Sequence, residues 1–213
     1  MKKEILDRIK LLGGNTDGVK GKSLADDLQA ITFNTVLYQR PEDTPWQTAE
    51  DAEPIYGIGE FIDRHEALFR EDPEAFYTKI TDTYFCLTEE GYGQFFWQPE
   101  LFAPFKEGTE DFDEWNLDFA DGDTDLSEII AHTGNGAPDF IALFYSYGFP
   151  DNYYICVNDP NPENPTLFGT DHEVFFQEVT NEGNLADFLA TFMTQDELLE
   201  LIRKRLPDFG DSD

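Results

Sequence analysis

The sequence predicts an α+β fold, a single, mostly antiparallel β-sheet flanked by N- and C-terminal helices. Runs rich in β-branched and aromatic residues cluster in the middle of the chain, and amphipathic helical spacing marks both ends. The two patterns do not alternate as a βαβ winding would require. Composition supplies the third indication. The chain has 213 residues, 40% apolar and 15% aromatic with 20 Phe, enough to enclose a sizeable core. No internal repeat or long linker interrupts it, so residues 1–207 read as one domain and residues 208–213 as an acidic tail.

The elements follow in chain order. Ile5, Leu6, Ile9 and Leu12 recur at helical spacing before Gly13 and Gly14, predicting a helix over residues 2–12. Ser23 with Asp26 resembles a capping box and opens a short second helix. Residues 31–38 carry strand composition, whereas Pro41, Pro45 and Pro54 among acids mark a loop over 40–56. Ile58, Phe61, Ile62, Leu68 and Phe69 return to helical spacing, and Pro73 sits at a first helical position before Phe76 and Ile80. Residues 82–88 and 93–98 predict a hairpin across a Gly-containing gap, and 99–124 an irregular acidic, aromatic segment. Asp125 caps a helix that runs to His132 and stops at Gly134. Strands are expected near 139–146, 152–158 and 172–179, with a turn at 159–165. Leu185, Phe188, Leu189 and Phe192 predict one closing helix. Thr194 and Glu197 form the capping box of another, which ends before Pro207 with Arg203, Lys204 and Arg205 at its negative pole.

Charge is the strongest global signal. Asp and Glu number 45 against 14 Lys and Arg, a formal net charge of −31. Between Lys106 and Arg203 there is no Lys or Arg, while residues 107–202 hold 22 acids. One reading is a surface biased toward solubility. The other is steering, in which an acidic face speeds encounter with a basic partner. The same sign disfavours direct contact with nucleic acid or an anionic membrane. No apolar run approaches the roughly 20 residues of a membrane span, the N-terminus lacks a signal-peptide core, and the cytoplasm is the expected compartment. Cys86 and Cys156 lie in apolar runs and read as buried strand thiols, with no disulfide framework.

The motifs with chemical content all break. Gly21-Lys22-Ser23 ends like a phosphate-binding loop, but Thr16 stands where that loop needs glycine, and a helix precedes it instead of a strand. His65-Glu66 begins a zinc helix whose second histidine is Phe69. Asp121, Asp123 and Asp125 have calcium-loop spacing, but Leu126 replaces the glycine and His132 the closing glutamate. Asp171-His172-Glu173 has no nucleophile setting beside it. The expectation is therefore no enzyme, no cofactor and no metal.

From residue 125 onward a family resemblance emerges. Ile129 to His132, Pro138 to Leu143, Ser146 to Gly148, Tyr154 to Val157, Thr170 to Glu173 and Asn184 to Leu189 occur in that order. This resembles the SUKH superfamily, which includes the yeast cell-wall assembly regulator and many bacterial immunity proteins, over roughly residues 125–193. The N-terminal half lacks the family's Leu-Pro-x-x-Tyr segment and reads as an elaboration. The resemblance implies an α+β fold and non-catalytic work, the binding of a cognate toxin, often a nuclease. It carries no site residues across.

The residues themselves nominate a contact face at 107–125. There Glu110, Asp111, Asp113, Glu114, Asp118, Asp121 and Asp123 alternate with Phe112, Trp115 and Phe119, acids for steering beside aromatic anchors. The competing reading is that Trp115 and Phe119 pin the segment onto the core. Two other binding functions stay open, a scaffold or regulator of an endogenous partner and a DNA mimic. Mimicry is disfavoured by aromatics standing between the acids.

Overall fold

The computed structural model describes residues 1–44, 47–49, 53–88, 91–120, 124–147 and 152–206. Among the described residues, six strands form one antiparallel sheet in sequence order. They are β1 (Leu37–Tyr38), β2 (Gln94–Phe102), β3 (Phe140–Tyr147), β4 (Asn152–Cys156), β5 (Thr166–Thr170) and β6 (Thr180–Asn184). Each strand pairs with its neighbour in the chain, even where helices intervene. Register shifts at Trp97/Glu100, Ala142/Phe144 and Thr166/Phe168 bend the strands, and the sheet curls. Pro99, which has no N–H to donate, sits inside the first of these shifts.

Side-chain alternation along the strands buries both faces. Phe95, Trp97, Ile141, Tyr153, Ile155 and Leu167 point to one face. There they meet Ile5 and Ile9 of α1 (Lys3–Leu11), Leu28 of α2 (Leu24–Gln29) and Leu185, Phe188 and Leu189 of α8 (Leu185–Thr191). The shift between Ala142 and Phe144 lets Leu143 and Phe144, consecutive in sequence, both join this cluster. The opposite face divides in two. Near β1 and β2, Tyr38 and Phe96 pack with α3 (Ile58–Arg64), α4 (Glu66–Glu71), α5 (Pro73–Tyr84) and α9 (Gln195–Arg205). Over the end of β2 and over β3 to β5, Phe102, Phe140, Tyr154, Cys156 and Phe168 pack with Phe176, with Ile129 of α7 (Ser127–Thr133), and with α6 (Glu110–Ala120). Each fully buried Phe contributes about 1.5–3 kcal/mol from apolar burial.

The expected caps at Ser23, Thr194 and Gly134 are in place, and Asp72 and Asn184 supply two more. The cap expected from Asp125 is not made, since α7 starts at Ser127 and its N-cap Leu126 has no side-chain cap bond. Ser23 accepts from Asp26 N at 3.1 Å, Asp72 from Ala75 N at 3.0 Å, and Asn184 from Asp187 N at 3.1 Å. Thr194 and Glu197 form the reciprocal box, and Gly134 ends α7 in the left-handed region.

Four expected elements differ. The strand at 31–38 shrinks to Leu37–Tyr38. Residues 82–88 form no strand, because Phe76, Ile80 and Tyr84 continue the apolar stripe of α5 and packing outweighs β propensity. The expected hairpin is therefore absent, β2 pairs with β1 and β3, and Cys86 lies half-buried beyond α5 instead of in a strand. Residues 99–124 are not irregular throughout, since β2 runs to Phe102 and α6 follows. Residues 172–179 are a turn region between β5 and β6. Phe175 and Phe176 both pack into the same cluster, which alternating strand geometry forbids. Phe176 takes a positive φ of 53°, held by its N–H to Thr170 Oγ1 at 2.9 Å and its carbonyl accepting from Asp125 N at 2.7 Å. The tail at 208–213 and the loop positions Pro45 and 50–52 lie outside the described residues.

Candidate protein-binding surfaces

The acidic segment nominated from sequence is a helix with two faces. Thr109, just before α6, accepts from Phe112 N at 3.1 Å, and Glu110, Asp111 and Asp113 fill the first turn, where the helix dipole favours negative charge. Asp111 ties the start of the helix to the end of β2 by accepting from Ala103 N at 2.8 Å. Residues 111, 112, 115, 116 and 119 form a half-buried stripe. Within it Trp115 meets Phe102 edge-on at 6.4 Å and Phe175 at 4.6 Å, and Phe119 meets Phe105 at 4.8 Å and Phe176 at 5.2 Å. Glu110, Asp113, Glu114 and Asp118 are exposed on the other side, with Leu117 68% exposed among them. Asp121 and Asp123 lie outside the described residues.

The aromatics therefore do not stand between the acids on the surface. Sequence order interleaves them, but the 3.6-residue period puts Phe112, Trp115 and Phe119 on the half-buried side with Asp111, and Glu110, Asp113, Glu114 and Asp118 on the other. The acids form a row at i, i+3, i+4 and i+8, which removes the ground on which mimicry was disfavoured.

The broken motifs resolve into local structure. Asp27, buried beside the Gly21-Lys22-Ser23 turn, accepts from Lys20 N at 3.2 Å and Gly21 N at 2.8 Å. The backbone donors that would have faced a phosphate thus hold the chain's own carboxylate. Glu53 does the same at the start of α3, accepting from Gly57 N at 2.7 Å and Gly59 N at 2.8 Å. His65 bonds Phe61 O through Nδ1 at 2.8 Å and stacks on the Phe61 ring. Asp125 accepts from Ser127 N at 2.9 Å, and the Ser127 side chain first, with that backbone bond second, holds its carboxyl below the usual range. Asp171 is buried and accepts from Glu173 N at 2.5 Å, while His172 is exposed. A His–Asp pair that the motifs did not announce joins His132 Nε2 to Asp159 Oδ2 at 2.9 Å, and Asp159 also receives Asn161 N and Thr166 N. It ties α7 to the turn before β5. Among the described residues no group of three His, Cys, Asp or Glu is placed to hold a metal, and no helix is long and apolar enough to cross a membrane.

A second surface has no signature in the sequence. Tyr56, Tyr92 and Tyr147 are 65%, 59% and 40% exposed. Their rings form a chain, Tyr56 to Tyr92 at 5.7 Å and Tyr92 to Tyr147 at 5.6 Å. Tyr56 and Tyr92 border an open pocket of about 250 Å³ whose lining includes Phe61, Tyr84, Glu60 and Arg64. These residues come from separate loops and helices, and no motif spacing links them. No family model, no curated protein and no solved structure matches the chain.

Proposed function

We propose that this chain is a non-catalytic, cytoplasmic immunity protein of the SUKH kind, which neutralises a cognate toxin by covering it with an acidic face. One observation carries the reading. The exposed side of α6 presents Glu110, Asp113, Glu114 and Asp118 in a row, within a stretch from 107 to 202 that holds no Lys or Arg. A toxin that cuts nucleic acid needs a basic groove, and a rigid acidic helix suits that groove in charge and in shape. The inward packing of Trp115 supports the rigidity of the helix, and leaves the exposed acids with Leu117 as the contact set.

The test is affinity capture from the native cells, followed by association kinetics at several ionic strengths. The expected result is a basic toxin domain in stoichiometric amount, silenced in the complex, whose association slows steeply as salt rises. Recovery of housekeeping proteins alone would end the immunity reading, and a salt-independent rate would end the steering argument. The acid row also favours a second reading, general mimicry of the nucleic-acid backbone. It predicts inhibition of several unrelated nucleic-acid-binding proteins instead of one cognate partner.

A further inference from the structure

We propose that the tyrosine-rimmed pocket beside α3 receives an arginine side chain from a protein partner. The inference rests on the protein-binding reading above and places a specific anchor at a site distinct from α6. The pocket is smaller than the usual range for drug-sized ligands and suits one long side chain. Its walls are aromatic, with Tyr56 and Tyr92 at the rim and Phe61 and Tyr84 deeper. Planar guanidinium groups stack on such faces and are less strongly hydrated than ammonium groups, which favours Arg over Lys.

The floor is held before any partner arrives. Tyr84 Oη donates to Gly57 O at 2.9 Å, Tyr38 Oη donates to Tyr84 O at 2.7 Å, and Gln94 Nε2 donates to Tyr38 Oη at 3.0 Å. Ordering cost at binding is correspondingly small. The rim differs. Among the described residues, no hydrogen bond engages the hydroxyls of Tyr56, Tyr92 or Tyr147. Three adjoining exposed rings are an unusual surface for a chain this polar.

Charge selects the occupant. Glu60 lines the pocket, and Glu53 stays fixed behind it by its bonds to Gly57 N and Gly59 N. Burial first, then Glu53 and Glu60, push the Tyr84 hydroxyl up to about 12, with Arg64 pulling the other way. Glu60 is the carboxylate of the lining and Arg64 the guanidinium, 3.8 Å apart in a pair exposed at 84% and 70%. A contact that open is held loosely and exchanges readily for a partner's arginine stacked on a rim tyrosine. The net charge of −31 draws basic partners toward the whole surface and repels anionic ones.

The experiment titrates N-acetyl-arginine amide into isotopically labelled full-length protein at physiological salt, with the neutral N-acetyl-citrulline amide as control. Saturable shifts are expected at the Tyr56 and Tyr92 rings and the Gly57 and Gly91 amides, several-fold weaker with citrulline. Glu60→Gln should weaken the arginine probe several-fold, and Arg64→Ala, which removes the internal competitor, should tighten it. Both side chains are exposed, so neither change threatens folding. Equal response to citrulline, no saturation, or shifts that persist in a Tyr56→Ser/Tyr92→Ser variant would overturn the inference. If a toxin is captured, that double variant should bind it at least tenfold more weakly. Undiminished binding would overturn the pocket and leave the immunity reading standing. Saturable, charge-dependent binding of the arginine probe without any toxin would do the reverse.

Discussion

Helix α8 ends against two arginines, and in a chain with 14 Lys and Arg this is a considerable use of positive charge. Arg8 Nε donates to Leu189 O at 3.2 Å and its Nη2 donates to Phe192 O. Arg40 donates through Nη1 to Ala190 O and through its backbone N to Thr191 O at 2.7 Å, and its Nη2 meets Glu197 at 2.9 Å. Together they serve carbonyls that the last turn of a helix leaves without partners, at the end where the dipole is negative. Burial lowers the pKa of Arg8 first, with Arg40 adding to it and Glu197 opposing. Removing the fork leaves buried carbonyls unsatisfied, so Arg8→Leu should cost about 2–3 kcal/mol. Arg8→Lys should recover only part of this, because one ammonium cannot reproduce the planar geometry. Urea denaturation of the three proteins measures both effects. A loss under about 0.5 kcal/mol for Arg8→Leu would mean that water serves the end of α8 equally well.

At the scale of elements, α6 separates into an inner stripe that stabilises and an outer row that is free to bind. Trp115→Ala should destabilise the fold by about 2 kcal/mol, below the 3–5 typical of fully buried rings because Trp115 is only half-buried. Replacing Glu110, Asp113, Glu114 and Asp118 by their amides should cost at most about 1 kcal/mol, from the helix dipole at the first turn, while slowing association with a basic partner. Comparable loss of stability from both sets would deny the division. The helix also shows where sequence reading stopped. Phe112, Trp115 and Phe119 already stood at helical spacing, but the density of acids and the prolines before them favoured a loop reading. The opposite holds at 82–88, where Thr, Tyr and Phe have strand composition while Asp72 and Pro73 start a helix that packing carries through Tyr84. β6 was illegible for another reason. Thr180-Asn-Glu-Gly-Asn184 is a polar strand at the edge of the sheet, made by pairing with β5 and not by its own composition. The well-capped helices and the strands β3 and β4 were legible because local propensity and burial agree there. The tyrosine surface was not, since only the fold brings Tyr56, Tyr92 and Tyr147 together.

For the whole molecule, burial of acidic protons sets the alkaline limit of stability. Burial first, with the charge of Asp159 adding to it, moves the Cys156 thiol from 9.0 up to about 12. Burial first moves Tyr84 from 10.0 to about 12, and Tyr154 is raised by the same cause. Each group keeps its proton in the folded state at a pH where the unfolded chain has lost it. The unfolded state then binds fewer protons, so stability falls as pH rises. The decline begins at the unfolded value and ends at the folded one, a window from about pH 9 to 12 for Cys156 and from about 10 to 12 for Tyr84. Within its window each group contributes a slope approaching about 1.4 kcal/mol per pH unit. Loss of positive charge from the lysines above about pH 10 adds self-repulsion of the same sign in so acidic a chain. The first part of the window isolates the thiol, because only Cys156 among the three has its ordinary value near 9.0. Cys156→Ala should therefore lower stability at pH 8 by the small cost of one buried sulfur, and then hold it level to about pH 10 while the natural protein declines. Urea midpoints at half-unit steps of pH give the difference directly, with every other titrating group common to both proteins. Parallel curves would mean that the folded state releases the Cys156 proton as easily as the unfolded one, and that the cluster around Phe140, Tyr154 and Phe168 admits water.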